Sequence, residues 1–262
     1  MRAADESTRK TRNVLLMLTR MLVVIAFGAT YLLLAQDQPK QKVEVSKTEH
    51  IDFPSGGTIR LTNSIGVLTV EAWDRPDVEI TTIKSTKDEY GPGERERGTQ
   101  KLDNVRIASE RRGDELVITT TFHRYRVFPL SYPLIGDENL NVEYRIKAPS
   151  AARLIVNHDV GEVNVDGLVG DMNLSVLQGQ IMLHLPEKGP YDIHAKSDWG
   201  NVNSDFPGQK KRRWFSQRAA NEDSSAAPKL NLKAVFGDIV ILKIRVPKPP
   251  ASLLAAPKAD GL

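Results

Sequence analysis

The sequence predicts an all-β chain: a short-stranded β-solenoid (β-helix-like) body with a sandwich-like N-terminal part, preceded by an N-terminal signal or anchor helix. Three observations carry this reading. Beyond Lys42 apolar and polar residues alternate with a period of two, no long stretch shows the 3.6-residue period of a helix, and a five-residue unit led by glycine returns along the second half. Composition sets the bounds. With 40% hydrophobic and 26% charged residues among 262, the chain can bury a core and is neither a disordered chain nor a multi-span membrane protein. The lack of Cys excludes disulfides, thiolate metal sites and cysteine nucleophiles.

The first element is an export segment. Met21–Leu34 is an apolar run, interrupted only by Gly28 and Thr30, between a basic flank and the polar stretch Gln36–Lys42, which is the plan of a secretory signal. Residues 1–35 are therefore read as a signal peptide or a membrane anchor. Ala35 suits a cleavage site whereas Leu33 is larger than the small residue usual there; counted from Val14, the run is long enough to span if Arg20 snorkels. Either way the remainder is exported to the cell envelope, on its periplasmic or extracellular side, anchored or released. The net charge belongs to this leader. Lys and Arg number 36 against 33 Asp and Glu, and five cations against two acids in the first 20 residues account for the whole excess of +3. The body is neutral, so a pI of about 9.0 does not mark a nucleic-acid-binding surface.

The body spans 43–246, as an N-terminal part over 43–148 and a glycine-repeat part over 150–246, with Ala148-Pro-Ser150 between them. Asn141–Lys147 is the clearest strand, with Val142, Tyr144 and Ile146 on one side and charged residues on the other. Alternation also predicts strands over Thr58–Leu61, Val67–Ala72, Val78–Ile83, Leu102–Ser109, Glu115–Thr121, Leu230–Phe236 and Asp238–Val246. Lys84–Lys101 and Phe206–Lys229 have loop composition and read as insertions. Pro247 ends the last strand, and 247–262 reads as a disordered tail.

The repeat stands at Gly161-Glu-Val-Asn-Val165, Gly170-Asp-Met-Asn-Leu174, Gly179-Gln-Ile-Met-Leu183, Gly200-Asn-Val-Asn-Ser204 and Gly237-Asp-Ile-Val-Ile241, with a fainter copy at Gly66-Val-Leu-Thr-Val70. A period of roughly 20 residues in an all-β chain suggests solenoid rungs, each glycine turning a sharp corner. Stacked rungs would bury Val163, Val165, Met172, Leu174, Ile181, Leu183, Ile193, Val202 and Ile239 in one line. Ordinary hairpin turns in a sandwich are the competing account.

Val142–Pro149, Leu154–Val165, the later Gly-x-Ile/Val units and the upstream Gly66–Ile80 together resemble the exported bacterial "putative adhesin" family, a domain of unknown function. The resemblance covers about 45–246. It implies a solenoid-like envelope domain without known catalytic residues. The basic-aromatic insertion, and Trp199 where a small residue is more usual before glycine, depart from the family pattern.

Candidate chemistry is sparse. Asp159, Glu162, Asp171, Asp198 and Asp238 are acids that an enzyme on a β-solenoid would gather on one face, with Asp171 and Asp238 each following a corner glycine; turn capping is the simpler role. His184, His194 and Asp192 would make a zinc-like set if their strands met, yet none of the five histidines stands at a compact ligand spacing. Neither a nucleophile elbow nor a phosphate-binding loop is present, so no catalytic residue, metal, cofactor, nucleotide or nucleic acid is assigned. The densest charge is Lys210, Lys211, Arg212 and Arg213 beside Trp214, Phe215 and Arg218, where cations and rings suit an anionic envelope ligand. Phe122–Pro133, alternating rings and cations, reads as an edge strand meeting a partner. The function expected is a non-enzymatic adhesion or interaction module presenting its surface to an envelope protein or glycan, touching the membrane through its N-terminal segment. A β-helix carbohydrate-active enzyme and a membrane-anchored envelope-stress sensor are the alternatives.

Overall fold

The computed structural model describes residues 39–121, 124–126, 133–135, 140–217 and 227–244. The leader, the tail and Arg218 lie outside them; among the described residues no helix is long and apolar enough to cross a membrane. The chain is mostly strand: β1 (Gln41–Asp52), β2 (Thr58–Trp73), β3 (Asp77–Tyr90), α1 (Arg95–Asp103), β4 (Arg106–Arg112), β5 (Glu115–Thr121), β6 (Arg124–Arg126), β7 (Pro133–Ile135), β8 (Leu140–Pro149) and β9 (Arg153–Asp166) come first. There follow β10 (Met172–Pro186), β11 (Asp192–Trp199), β12 (Val202–Ser204), β13 (Gln209–Lys211), β14 (Trp214–Gln217), β15 (Lys229–Phe236) and β16 (Ile239–Ile244).

Fourteen strands form one open, mixed sheet in the order β1-β3-β8-β2-β9-β10-β15-β11-β14-β13, with β5 and β4 branching from β2, and β16 and β12 from β10. Its centre, from β8 to β11, is parallel; its margins are antiparallel. β6 and β7 pair with each other, and this pair is all of the Phe122–Pro133 stretch and its surroundings that the described residues include.

The central strands change phase midway. In β9 the buried side chains are Leu154, Val156 and His158, then Val163 and Val165; in β10 they are Met172, Leu174 and Val176, then Ile181, Leu183 and Leu185. A switch from even to odd positions turns the strand without ending it, and it occurs at glycine. Gly66, Gly161, Gly179 and Gly237 have φ between 90° and 147°, a region L side chains rarely adopt. They also stack. A Cβ on Gly161 would collide with the Gly66 carbonyl oxygen, one on Gly179 with that of Gly161, one on Gly237 with that of Gly179, and one on Gly200 with that of Gly237. Gly170 stands apart, against the backbone of Ala151 and Ala152.

This geometry refines the repeat. The nine apolar residues expected in one line are all buried, but the phase switch divides them into one line before the glycine column and another after it. Strand order also departs from chain order, because β15 enters between β10 and β11.

Lys84–Lys101 is not a loop. β3 continues to Tyr90, a 3-10 turn over Pro92–Glu94 follows, and α1 occupies much of the rest, so the strand expected from Leu102 begins at Arg106. Leu102 is the buried apolar anchor of α1, too little to give a helical period. Gly98 meets Val43 and the Tyr90 ring, where a Cβ would come within 2.6 Å of Val43 Cγ2. Phe206–Lys229 likewise contains β13 and β14, and Phe206 packs edge-on against Tyr191 with ring centroids 5.7 Å apart.

Candidate binding surface

β13 and β14 form a hairpin in which Lys211 faces Trp214, so Arg212 and Arg213 make the two-residue connection. The turn is tied into the sheet. Ser197 N–H donates to the Arg213 carbonyl at 2.9 Å and Val202 N–H to that of Arg212 at 3.2 Å, so the hairpin tip bridges β11 and β12 across Gly200. β14 then pairs with β11, placing Trp214 opposite Lys196, and β11 pairs with β15, placing Lys196 opposite Lys233.

Strand alternation divides the basic run between two faces. Lys211 shares the outward face with Trp214, Lys196 and Lys233; Lys210 falls on the other side, where its ammonium donates to Asn203 Oδ1 at 2.9 Å. Lys210, Lys211, Arg212 and Arg213 are exposed and Trp214 is half-buried. Three further residues complete the surface. Trp199 is 64% exposed, lies nearly parallel to the Phe236 ring at 6.4 Å and carries the Arg213 guanidinium 5.5 Å from its centre. Lys196 Nζ lies 2.7 Å from Asp198 Oδ1, and this bond, with the charges of Lys196, Lys233 and Arg213, holds the Asp198 carboxyl below its usual range. Lys196 and Lys233 were unremarkable in the sequence because only the β15 insertion brings them together. Trp199 had a signal: its bulk before a repeat glycine.

The remaining candidates serve the backbone or stand apart. Asp171 Oδ1 accepts Lys229 N–H at 2.9 Å and Asp238 Oδ1 accepts Asn201 N–H at 2.7 Å, so both cap neighbouring strands. His184 pairs with Asp166 at 3.8 Å, in the part of β10 beyond its column glycine; His194 pairs with Asp192 at 3.3 Å in β11, ahead of its own. The zinc-like set therefore does not assemble, and among the described residues no group of three or more His, Cys, Asp or Glu could hold a metal ion.

No family model and no curated protein matches the chain. Solved structures do. The chain is similar to a "putative cell adhesion protein" from Clostridium sporogenes, at 15% identity and TM-score 0.48 over 78% of this chain and 100% of that one. It is also similar to two Parabacteroides distasonis proteins: a "putative adhesin" (13% identity, TM-score 0.25, 75% of this chain and 70% of that one) and a "putative lipid binding protein" (12%, 0.25, 76% and 66%).

Proposed function

We propose that the chain is an exported, non-enzymatic adhesion or interaction module of the cell envelope that meets an envelope glycan or protein through the end of its sheet. The observation that carries this reading is the exposed Trp199 indole beside Arg213, on a hairpin clamped to two strands. An aromatic face left largely in solvent among fixed cations suits recognition: stacking on Phe236 and the Arg213 guanidinium holds the indole in place while most of it stays open to a ligand. The role of Asp171 and Asp238 as caps supports binding over hydrolysis, since a general acid or base needs a carboxyl free to face substrate. The glycine column supports a solenoid-like reading of 150–246, each layer turning at the same level. Deleting Gln209–Arg218 tests the function. Loss of attachment to isolated envelope fractions, with the circular dichroism of the sheet retained, is the expected result; unchanged attachment removes the hairpin from the account.

A further inference from the structure

The register across the last four strands aligns four outward side chains that are scattered in sequence: Lys233 on β15, Lys196 on β11, Trp214 on β14 and Lys211 on β13. Neighbouring strands are about 4.8 Å apart, so the row covers about 14 Å in three steps. Its three lysines are exposed. Like charges directly opposite each other destabilise a sheet, and Lys196 stands directly opposite Lys233. Asp198 bonds Lys196 and lies within the fields of Lys233 and Arg213, one acid among three cations. The row is thus a line of positive charge that the protein itself offsets only in part, with an indole between its cations and the Trp199–Arg213 pair beside it.

We infer that this row binds an acidic polysaccharide lying across the strands, its carboxylates or other anionic groups meeting Lys233, Lys196 and Lys211 and its sugar faces resting on the indoles of Trp214 and Trp199. The inference rests on the binding-module reading and names the ligand class. Three features select the ligand. Charges spread along a line favour a polymer over a single anion. Each strand step is about the width of one pyranose ring, so a chain bearing one anionic group per ring keeps register with the lysines. A lipid surface would need several exposed apolar side chains to enter it, whereas among the described residues Trp199 is the large hydrophobic one exposed at this end; Val45 and Val67 lie on β1 and β2.

Titration calorimetry of the full chain with a length series of oligogalacturonates, and with the same oligomers methyl-esterified, tests the assignment. Affinity is expected to climb until the oligomer covers the row, at about four rings, and then level off. Lys196→Gln combined with Lys233→Gln should weaken binding about tenfold, Asp198→Asn should tighten it, Trp199→Ala should weaken it, and esterification should abolish it. Equal binding by the double variant, indifference to esterification, or tighter capture by phosphatidylglycerol vesicles or by oligothymidylate each overturns the inference. Lys196 and Lys233 lie outside the segment deleted to test the function. If that deletion abolishes envelope attachment while the double variant binds oligogalacturonate as before, the row fails and the module stands; if the deletion also leaves attachment unchanged, both fail.

Discussion

His158 is 2% exposed, with both ring nitrogens engaged. Nε2 lies 3.1 Å from the Gly66 carbonyl, which can only accept, so Nε2 carries the proton and Nδ1 accepts from the Ser64 hydroxyl at 2.8 Å. The neutral ring thereby ties β9 to the glycine column of β2. Ser197 stands at the equivalent place, three residues before its own column glycine, and its hydroxyl donates to the Gly237 carbonyl at 2.7 Å. Burial lowers the His158 pKa from 6.5 to about 4. As pH falls below 6.5 the unfolded chain takes up a proton that the folded one refuses until about 4, so stability drops across that window. The expected loss is ~2 kcal/mol between pH 6.5 and 5, and ~3 kcal/mol by pH 4. Urea unfolding at pH 7 and pH 5 measures it, and His158→Gln should flatten the difference. The carboxyls held below their usual range, such as Glu49 and Asp198, act under about pH 4.5 and leave the upper part of the window to His158. The burial of His158 was not read from the sequence, because its partners come from a strand more than ninety residues away and no local pattern shows them.

At the scale of single elements, the glycine-led units were legible because a corner demands a residue without Cβ at a fixed place in each strand. Their consequence is testable. Gly161→Ala would set a Cβ on the Gly66 carbonyl at φ +127°, adding backbone strain to a collision with backbone that cannot move without opening the column. Destabilisation above ~4 kcal/mol is expected. Gly93→Ala, with nothing within 4 Å and ordinary backbone, should stay within ~0.5 kcal/mol; chemical denaturation of both variants decides, and similar values for the two would remove the column from the stability of the fold. α1 was illegible for the opposite reason. Its hold on the body comes from Leu102, from Gly98 lying against Tyr90, and from Lys84, whose ammonium donates to the carbonyls of Leu102 and Val105 at 2.8 and 2.9 Å. A cation from another strand satisfying the end of a helix leaves no periodic trace in the helix itself. The hairpin of β13 and β14 was read as a loop because four consecutive cations mask alternation, although the side chains they carry do alternate between faces.

For the whole molecule, the departure from sequence reasoning is one of order. A solenoid built rung by rung sets β11 beside β10, whereas here the chain passes over one layer, returns through the basic hairpin and fills the gap with β15. The repeat units are identical in kind, so nothing in their spacing distinguishes a strand laid next to its predecessor from one inserted later. The absence of Cys makes the order directly measurable, since any disulfide must be the engineered one. Asn173, Asn231 and His194 are exposed residues at the same level of β10, β15 and β11, with Asn231 in register with each of the other two. Neighbouring strands at about 4.8 Å meet the Cα separation a disulfide requires, and strands two steps apart, at about 9.6 Å, exceed its limit of about 7 Å. Asn173→Cys with Asn231→Cys should therefore oxidise to an intramolecular bridge, and Asn173→Cys with His194→Cys should not, as read by non-reducing gel mobility and peptide mass. The bridge between positions 173 and 231 closes a loop long enough to add up to ~4 kcal/mol against unfolding if it forms without strain, a second readout of the same geometry. The reverse outcome, a bridge between 173 and 194 with none between 173 and 231, would return the sheet to chain order, with β11 between β10 and β15 and no edge left for β14, taking Trp214 and Lys211 out of the charged row at the sheet end.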